Sequence, residues 1–129
     1  MNGISGIGLD MVEIARMERI YTLHGDRLVR RICRPGEVEP RGDSALPQHL
    51  AGLFAAKEAV LKALGTGWAA GLGFSQVEVV KQAQGAPAVR LHGKAAMHAE
   101  ELGIAQVHIS ITHDGAYAAA VAIAEKDPG

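Results

Sequence analysis

Glu58 and Lys62 stand four residues apart, with Phe54 four residues earlier, so the three share one face if this stretch is helical. A carboxylate and an ammonium at that spacing ordinarily form a surface ion pair that contributes ~0.3–0.5 kcal/mol. The neighbours suggest more. Ala51, Ala55, Ala56, Ala59 and Ala63 let such a helix pack closely on another element and leave Glu58 near a cleft, where an acid needs a partner or a metal. Asp10, after Gly6-Ile7-Gly8-Leu9, offers a second carboxylate. Its simplest role is a helix cap, with Glu13 as capping-box partner. The glycines are not a dinucleotide fingerprint, because Met11 stands where a third is required, and there is no phosphate loop. Two carboxylates from different elements beside an ammonium suit magnesium and a phosphate-bearing substrate. Spacing alone does not bring Asp10 to Glu58.

The other reactive side chains are less directive. His108 and His113, five apart, project to opposite faces of a continuous strand, and the six histidines form no zinc pattern. His24, His49, His92 and His98 are most simply surface or cap residues. Cys33 lacks a His or Asn in a catalytic arrangement, so its role is structural. As the single cysteine it points to a reducing, cytoplasmic setting. The net charge of −1 is unevenly spread, since residues 16–34 hold six of the eight arginines against Glu18 and Asp26. Arg27, Arg30, Arg31 and Arg34 fall at i, i+3, i+4 and i+7, one helical face with no acid to interrupt it. Such a stripe is either a solvated face or a dock for an acidic protein or a phosphate. Nucleic acid fits less well, because aromatics for stacking are scarce.

These residues need elements to hold them. Residues 4–9 predict a buried strand, and Asp10 then caps a helix running to about residue 23. The arginine-faced helix follows to about residue 33, and Pro35, Gly36, Pro40, Gly42 and Pro47 mark an irregular connection. The strongest helix covers residues 48–64 and stops at Gly65. A glycine-rich loop spans residues 65–73. Strands at 74–81 and 88–92 flank a turn, a helix covers 94–102, and strands at 107–112 and 117–125 flank Asp114-Gly115. The fold class is α+β, a largely antiparallel sheet packed against helices. With 129 residues it is one domain, residues 1–125, with a tail at 126–129. Hydrophobic residues make up 48% and aromatics only 4%, so the core is aliphatic and the chain is not disordered. No apolar run approaches the ~20 residues of a membrane span, and the N-terminus lacks signal-peptide character.

Three segments in order resemble one family. They are Gly6-Ile7-Gly8-Leu9-Asp10 with Arg16; Phe54-Ala55-Ala56-Lys57-Glu58-Ala59 with Lys62-Ala63 and Gly65-Thr66-Gly67; and Val107 to His113 followed by Tyr117-Ala118-Ala119-Ala120. Together they resemble the holo-acyl-carrier-protein synthases, small 4'-phosphopantetheinyl transferases of bacterial fatty acid synthesis. The resemblance implies that coenzyme A donates 4'-phosphopantetheine to a serine of apo-acyl carrier protein. Adenosine 3',5'-bisphosphate is released, and magnesium is required. It implies Asp10 and Glu58 as metal ligands, Glu58 as the group that helps deprotonate the serine, and Lys62 near the phosphates. Lys57, Gly65, Pro87, Ser110 and His113 fall where the family contacts coenzyme A, and Arg16 and Arg27 where it docks the acidic carrier. It also implies a homotrimer with sites between subunits, and we expect Asp10, Glu58 and Lys62 to come from one subunit and His113 from the next.

Leu53 departs from the family, which often has an arginine there for a coenzyme A phosphate; Arg90 or Lys81 are the candidates to replace it. Leu53 also supports the alternative of a non-catalytic carrier-binding module of the same fold. A magnesium-dependent phosphohydrolase would use the same carboxylates but leave the arginines without a purpose.

Overall fold

The computed structural model describes residues 3–38, 46–65 and 72–127. The chain runs β1 (Gly3–Glu13), α1 (Ile14–His24), α2 (Asp26–Ile32), α3 (Leu46–Leu64), a 3-10 turn (Phe74–Gln76), β2 (Val77–Val80), β3 (Ala88–Leu91), α4 (Gly93–Glu101), β4 (Ile104–Asp114) and β5 (Tyr117–Lys126). The five strands form one antiparallel sheet in the order β1-β5-β4-β3-β2. The expected α+β class and antiparallel sheet are both present.

Asp10 is not a helix cap. β1 continues through it to Glu13, pairing Asp10 with Ala120 of β5, and α1 starts only at Ile14 with no side-chain cap bond. The long antiparallel ladder to β5 outweighs a local capping preference. The first strand of the hairpin is shorter than the pattern suggested, because residues 74–76 form a 3-10 turn. The last strand reaches Lys126, one residue into the expected tail. Most of the glycine-rich loop, and residues 39–45 of the irregular connection, lie outside the described residues.

The core follows from alternation. Ala118, Ala120, Ala122 and Ala124 of β5 and Val107 and Ile109 of β4 are buried on one sheet face, where α3 crosses. Gly6 and Gly8 share that face through their pairing with Ala124 and Ala122. A Cβ on Gly6 would collide with the Ala63 carbonyl, and one on Gly8 with the Ala59 carbonyl. The paired glycines therefore let the backbone of α3 lie directly on β1. On the opposite face Ile4, Ile7, Leu9 and Met11 are 60–66% exposed. Bulges at Ser5 of β1 and Ala105 of β4 shift the register of each strand against β5.

Candidate active site

The close approach of α3 to β1 answers what spacing could not. As β1 runs from Gly6 to Gly8 it passes Ala63 and then Ala59, moving back along α3. Asp10 lies two residues further on the same face, within reach of the Lys62 side chain. Lys62 Nζ donates to Asp10 Oδ1 at 3.1 Å and to the Leu9 carbonyl at 3.0 Å. The Lys62 side chain is still 51% exposed, so its ammonium can reach a second anion. Glu58 is partly buried one turn before Lys62 on the same helix face. Among the described residues no three His, Cys, Asp or Glu converge as a metal site. Two carboxylates alone suit a hard cation that takes its other oxygens from phosphate and water, the usual manner of magnesium.

A second site lies at the other end of α3. Gly52 makes room for His113: a Cβ there would sit 3.0 Å from His113 Nε2, which is 3.3 Å from the Gln48 carbonyl. A cavity of about 370 Å³ opens beside it, lined by His113, His49, Leu53, Lys81, Pro87 and Glu37 among others. Asp10, Glu58 and Lys62 do not line it. His113 pairs with Ala118 and Asp10 with Ala120, so β5 separates their strands by about 10 Å. The two clusters flank α3 within one chain.

The remaining expected positions scatter. Pro87 stands in the cavity with His113. Ser110 is on the opposite sheet face, paired with Val121 and exposed. Gly65 ends α3 with a φ of 86° close to Lys62, its N–H donating to the Leu61 and Lys62 carbonyls. Lys57 must be corrected. It is fully buried, and its Nζ donates to the Ile32 carbonyl at 2.8 Å, Glu37 Oε1 at 2.7 Å and the Phe74 carbonyl at 3.2 Å. Its side chain points about 100° around α3 from Glu58 and is wholly enclosed.

The arginine face is narrower than its spacing implied. Arg16 on α1 and Arg27, Arg30 and Arg31 on α2 are exposed. Arg34 lies beyond the end of α2, and its guanidinium donates to the Ser75 carbonyl at 2.7 Å. Of the two candidates to stand in for an arginine at Leu53, Lys81 shares the cavity with Leu53. Arg90 instead lies 3.8 Å from Glu78. Glu78 also takes a bond from His92 at 2.8 Å, which is the main reason its carboxyl is held below the usual range. Sequence reasoning missed Glu37 and undervalued His49. A lone acid after Pro35-Gly36 carries no periodic signal, and only the fold shows that it is buried.

Comparison with known proteins shows the family and the fold. The family model described as the 4'-phosphopantetheinyl transferase superfamily matches residues 6–122. The holo-[acyl-carrier-protein] synthase of Solidesulfovibrio magneticus is 46% identical over 126 residues, covering 95% of this chain and 98% of its own. That of Nitratidesulfovibrio vulgaris strain Hildenborough is 47% identical over 122 residues with the same coverage. The holo-ACP-synthase structure from Plasmodium yoelii superposes with a TM-score of 0.86 at 29% identity, covering 98% of both chains. The Helicobacter pylori holo-[acyl-carrier-protein] synthase, solved in complex with coenzyme A, gives 0.77 at 31% identity, covering 92% of this chain and 98% of that one.

Proposed function

Since the chain belongs to the 4'-phosphopantetheinyl transferase superfamily, we propose that it acts as a holo-acyl-carrier-protein synthase. It moves 4'-phosphopantetheine from coenzyme A to a serine of apo-acyl carrier protein and releases adenosine 3',5'-bisphosphate. The observation that carries this reading is the meeting of Asp10 and Lys62, 52 residues apart in sequence, with Glu58 one helical turn before Lys62.

Each group then has a task. Asp10 and Glu58 would hold magnesium, which when bound offsets the negative charge of the diphosphate. Lys62, anchored by Asp10 and the Leu9 carbonyl, presents its half-exposed ammonium to the phosphate that leaves. The Glu58 carboxylate takes the proton of the serine hydroxyl as its oxygen attacks the phosphorus bearing the pantetheine arm. The cavity with Pro87, Lys81 and His113 receives part of coenzyme A, and Lys81 supplies the cation that Leu53 does not. Arg16 and Arg27 dock the acidic carrier.

The separation of His113 from Asp10 in one chain favours a site shared between subunits. Four apolar side chains of β1 lie exposed on the outer sheet face, as a homotrimer that buries this face requires. The single buried cysteine fits a cytoplasmic setting, and among the described residues no helix is long and apolar enough to cross a membrane.

Incubating the protein with apo-carrier, coenzyme A and magnesium and weighing the carrier tests the function. The carrier should gain one phosphopantetheine. An unchanged carrier that still binds the protein would mark a binding module instead, and free phosphate without carrier gain a phosphohydrolase.

A further inference from the structure

Glu37 is a carboxylate removed from water. Its side chain is 1% exposed, in a segment that is neither helix nor strand. A buried charge persists only when it is paired and its oxygens are hydrogen-bonded. Glu37 Oε1 accepts from Lys57 Nζ at 2.7 Å and from the Arg34 backbone N–H, and Oε2 accepts from the Val79 N–H at 2.8 Å. Its own N–H donates to the Arg34 carbonyl at 3.1 Å, and its carbonyl lies 2.8 Å from His49 Nε2. One residue thus ties together the chain leaving α2, two turns of α3 and strand β2.

The bond to Val79 goes beyond what an ion pair requires. Among the described residues β2 is a four-residue edge strand with β3 as its only sheet neighbour, so one row of its backbone groups lacks a strand partner there. Glu37 occupies a position on that row. Immediately after β2 the chain carries Lys81 and then Pro87 into the cavity, whose facing wall is α3 with His49 and Leu53. Lys57 fixes Glu37 to α3 and Val79 fixes it to the hairpin.

We infer that Glu37 is a positioning residue that sets the width of this cavity, and through it the affinity for coenzyme A. The inference rests on the proposed function, which assigns the cavity to that substrate. Asp10, Glu58 and Lys62 share none of these bonds, so the effect falls on coenzyme A binding and spares the chemical step.

The test compares wild type, Glu37→Gln and the double variant Glu37→Leu/Lys57→Met. It measures thermal stability, kcat, KM for each substrate and the Kd for coenzyme A by calorimetry. Glu37→Gln keeps the shape and one acceptor oxygen. It should raise KM and Kd for coenzyme A roughly tenfold, as losing a hydrogen bond to a charged group does, with kcat and the carrier KM little changed. The double variant removes both buried charges and should regain stability without regaining the bond to Val79, so its coenzyme A KM stays raised.

A purely structural role predicts that coenzyme A affinity returns with stability, and that result would overturn the inference. So would a Glu37→Gln variant with unchanged coenzyme A affinity. If the double variant does not fold, hydrogen exchange at the Val79 amide of Glu37→Gln decides: faster exchange with weaker binding supports the inference, and unchanged exchange refutes it. A wild type that neither binds nor turns over coenzyme A overturns the proposed function and this inference with it. A competent wild type beside an unaffected variant overturns this inference alone.

Discussion

Asp10 and Glu58 are the two carboxylates proposed to hold magnesium, and the proposal gives them different tasks. Asp10 already accepts Lys62, so it serves to hold charge, whereas Glu58 is also assigned the serine proton. Asp10→Asn and Glu58→Gln should each lose most turnover, at least about a hundredfold for the proton acceptor. Excess magnesium should partly restore Asp10→Asn and not Glu58→Gln. Rates measured against magnesium concentration check this, and wild-type rates in both variants would remove these residues from the site. Cys33 offers a pH test. Burial pushes its thiol from 9.0 up to about 12, with the Lys57 ammonium pulling it back and Glu37 pushing it further up. Between those values the unfolded chain has lost a proton that the native state keeps, so stability falls as pH rises. Urea midpoints should therefore decline above pH 9.0 more steeply in wild type than in Cys33→Ala, and equal slopes would show that the thiol does not contribute.

At the scale of elements, the contact of α3 with β1 is backbone on backbone. The added methyl of Gly8→Ala would meet the Ala59 carbonyl, and no rotamer change relieves such a clash. The variant should lose about 2–3 kcal/mol or more and, by displacing Asp10 from Lys62, most of its activity. Gly73→Ala is the control, because none of the described residues lies within 4 Å of its Cβ and its φ is −139°. Its unfolding midpoint should stay near wild type. Helices α1 and α2 carry the exposed arginines proposed to dock the carrier. Reversing Arg16 and Arg27 to Glu should raise the carrier KM far more than the coenzyme A KM and weaken its salt dependence, since exposed charges are screened over ~8 Å at physiological ionic strength. Stability should hardly move. An unaltered carrier KM would leave the stripe as a solvated face.

For the whole molecule, the outer sheet face decides whether one chain is enough. Leu9 is 66% exposed there, while its backbone carbonyl, not its side chain, accepts from Lys62. Leu9→Glu therefore charges the outer face without removing that bond. Sedimentation should show an assembled wild type and a dissociated, inactive variant. Mixing Glu58→Gln chains with His113→Ala chains, each inactive alone, should restore part of the activity if the two clusters meet across subunits. No recovery in proven mixed assemblies would place the whole reaction within one chain.

The local signals in the sequence carried a long way. Alternation along β4 and β5, the helix ending at Gly65 and the charge on α2 were all legible, because each depends on neighbours within a few residues. Glu58 and Lys62 were legible as a pair for the same reason. Asp10 looked like a cap, since local capping is all its flanking residues reveal. Its place in β1 depends on hydrogen bonds to β5, more than a hundred residues away. Lys57 looked like a neighbour of Glu58 in the site, but adjacent helix positions point about 100° apart, and only the packed fold shows which of the two meets Glu37. The sequence by itself determined the class of fold and the residue types available for the chemistry, since these follow from composition and period, and its three motifs carried the resemblance to the family. Tertiary structure alone decided which carboxylate stands beside Lys62, which cation shares a cavity with Leu53 and that Glu37 is buried. Each of those facts is a contact between distant segments, set by how α3 crosses the sheet.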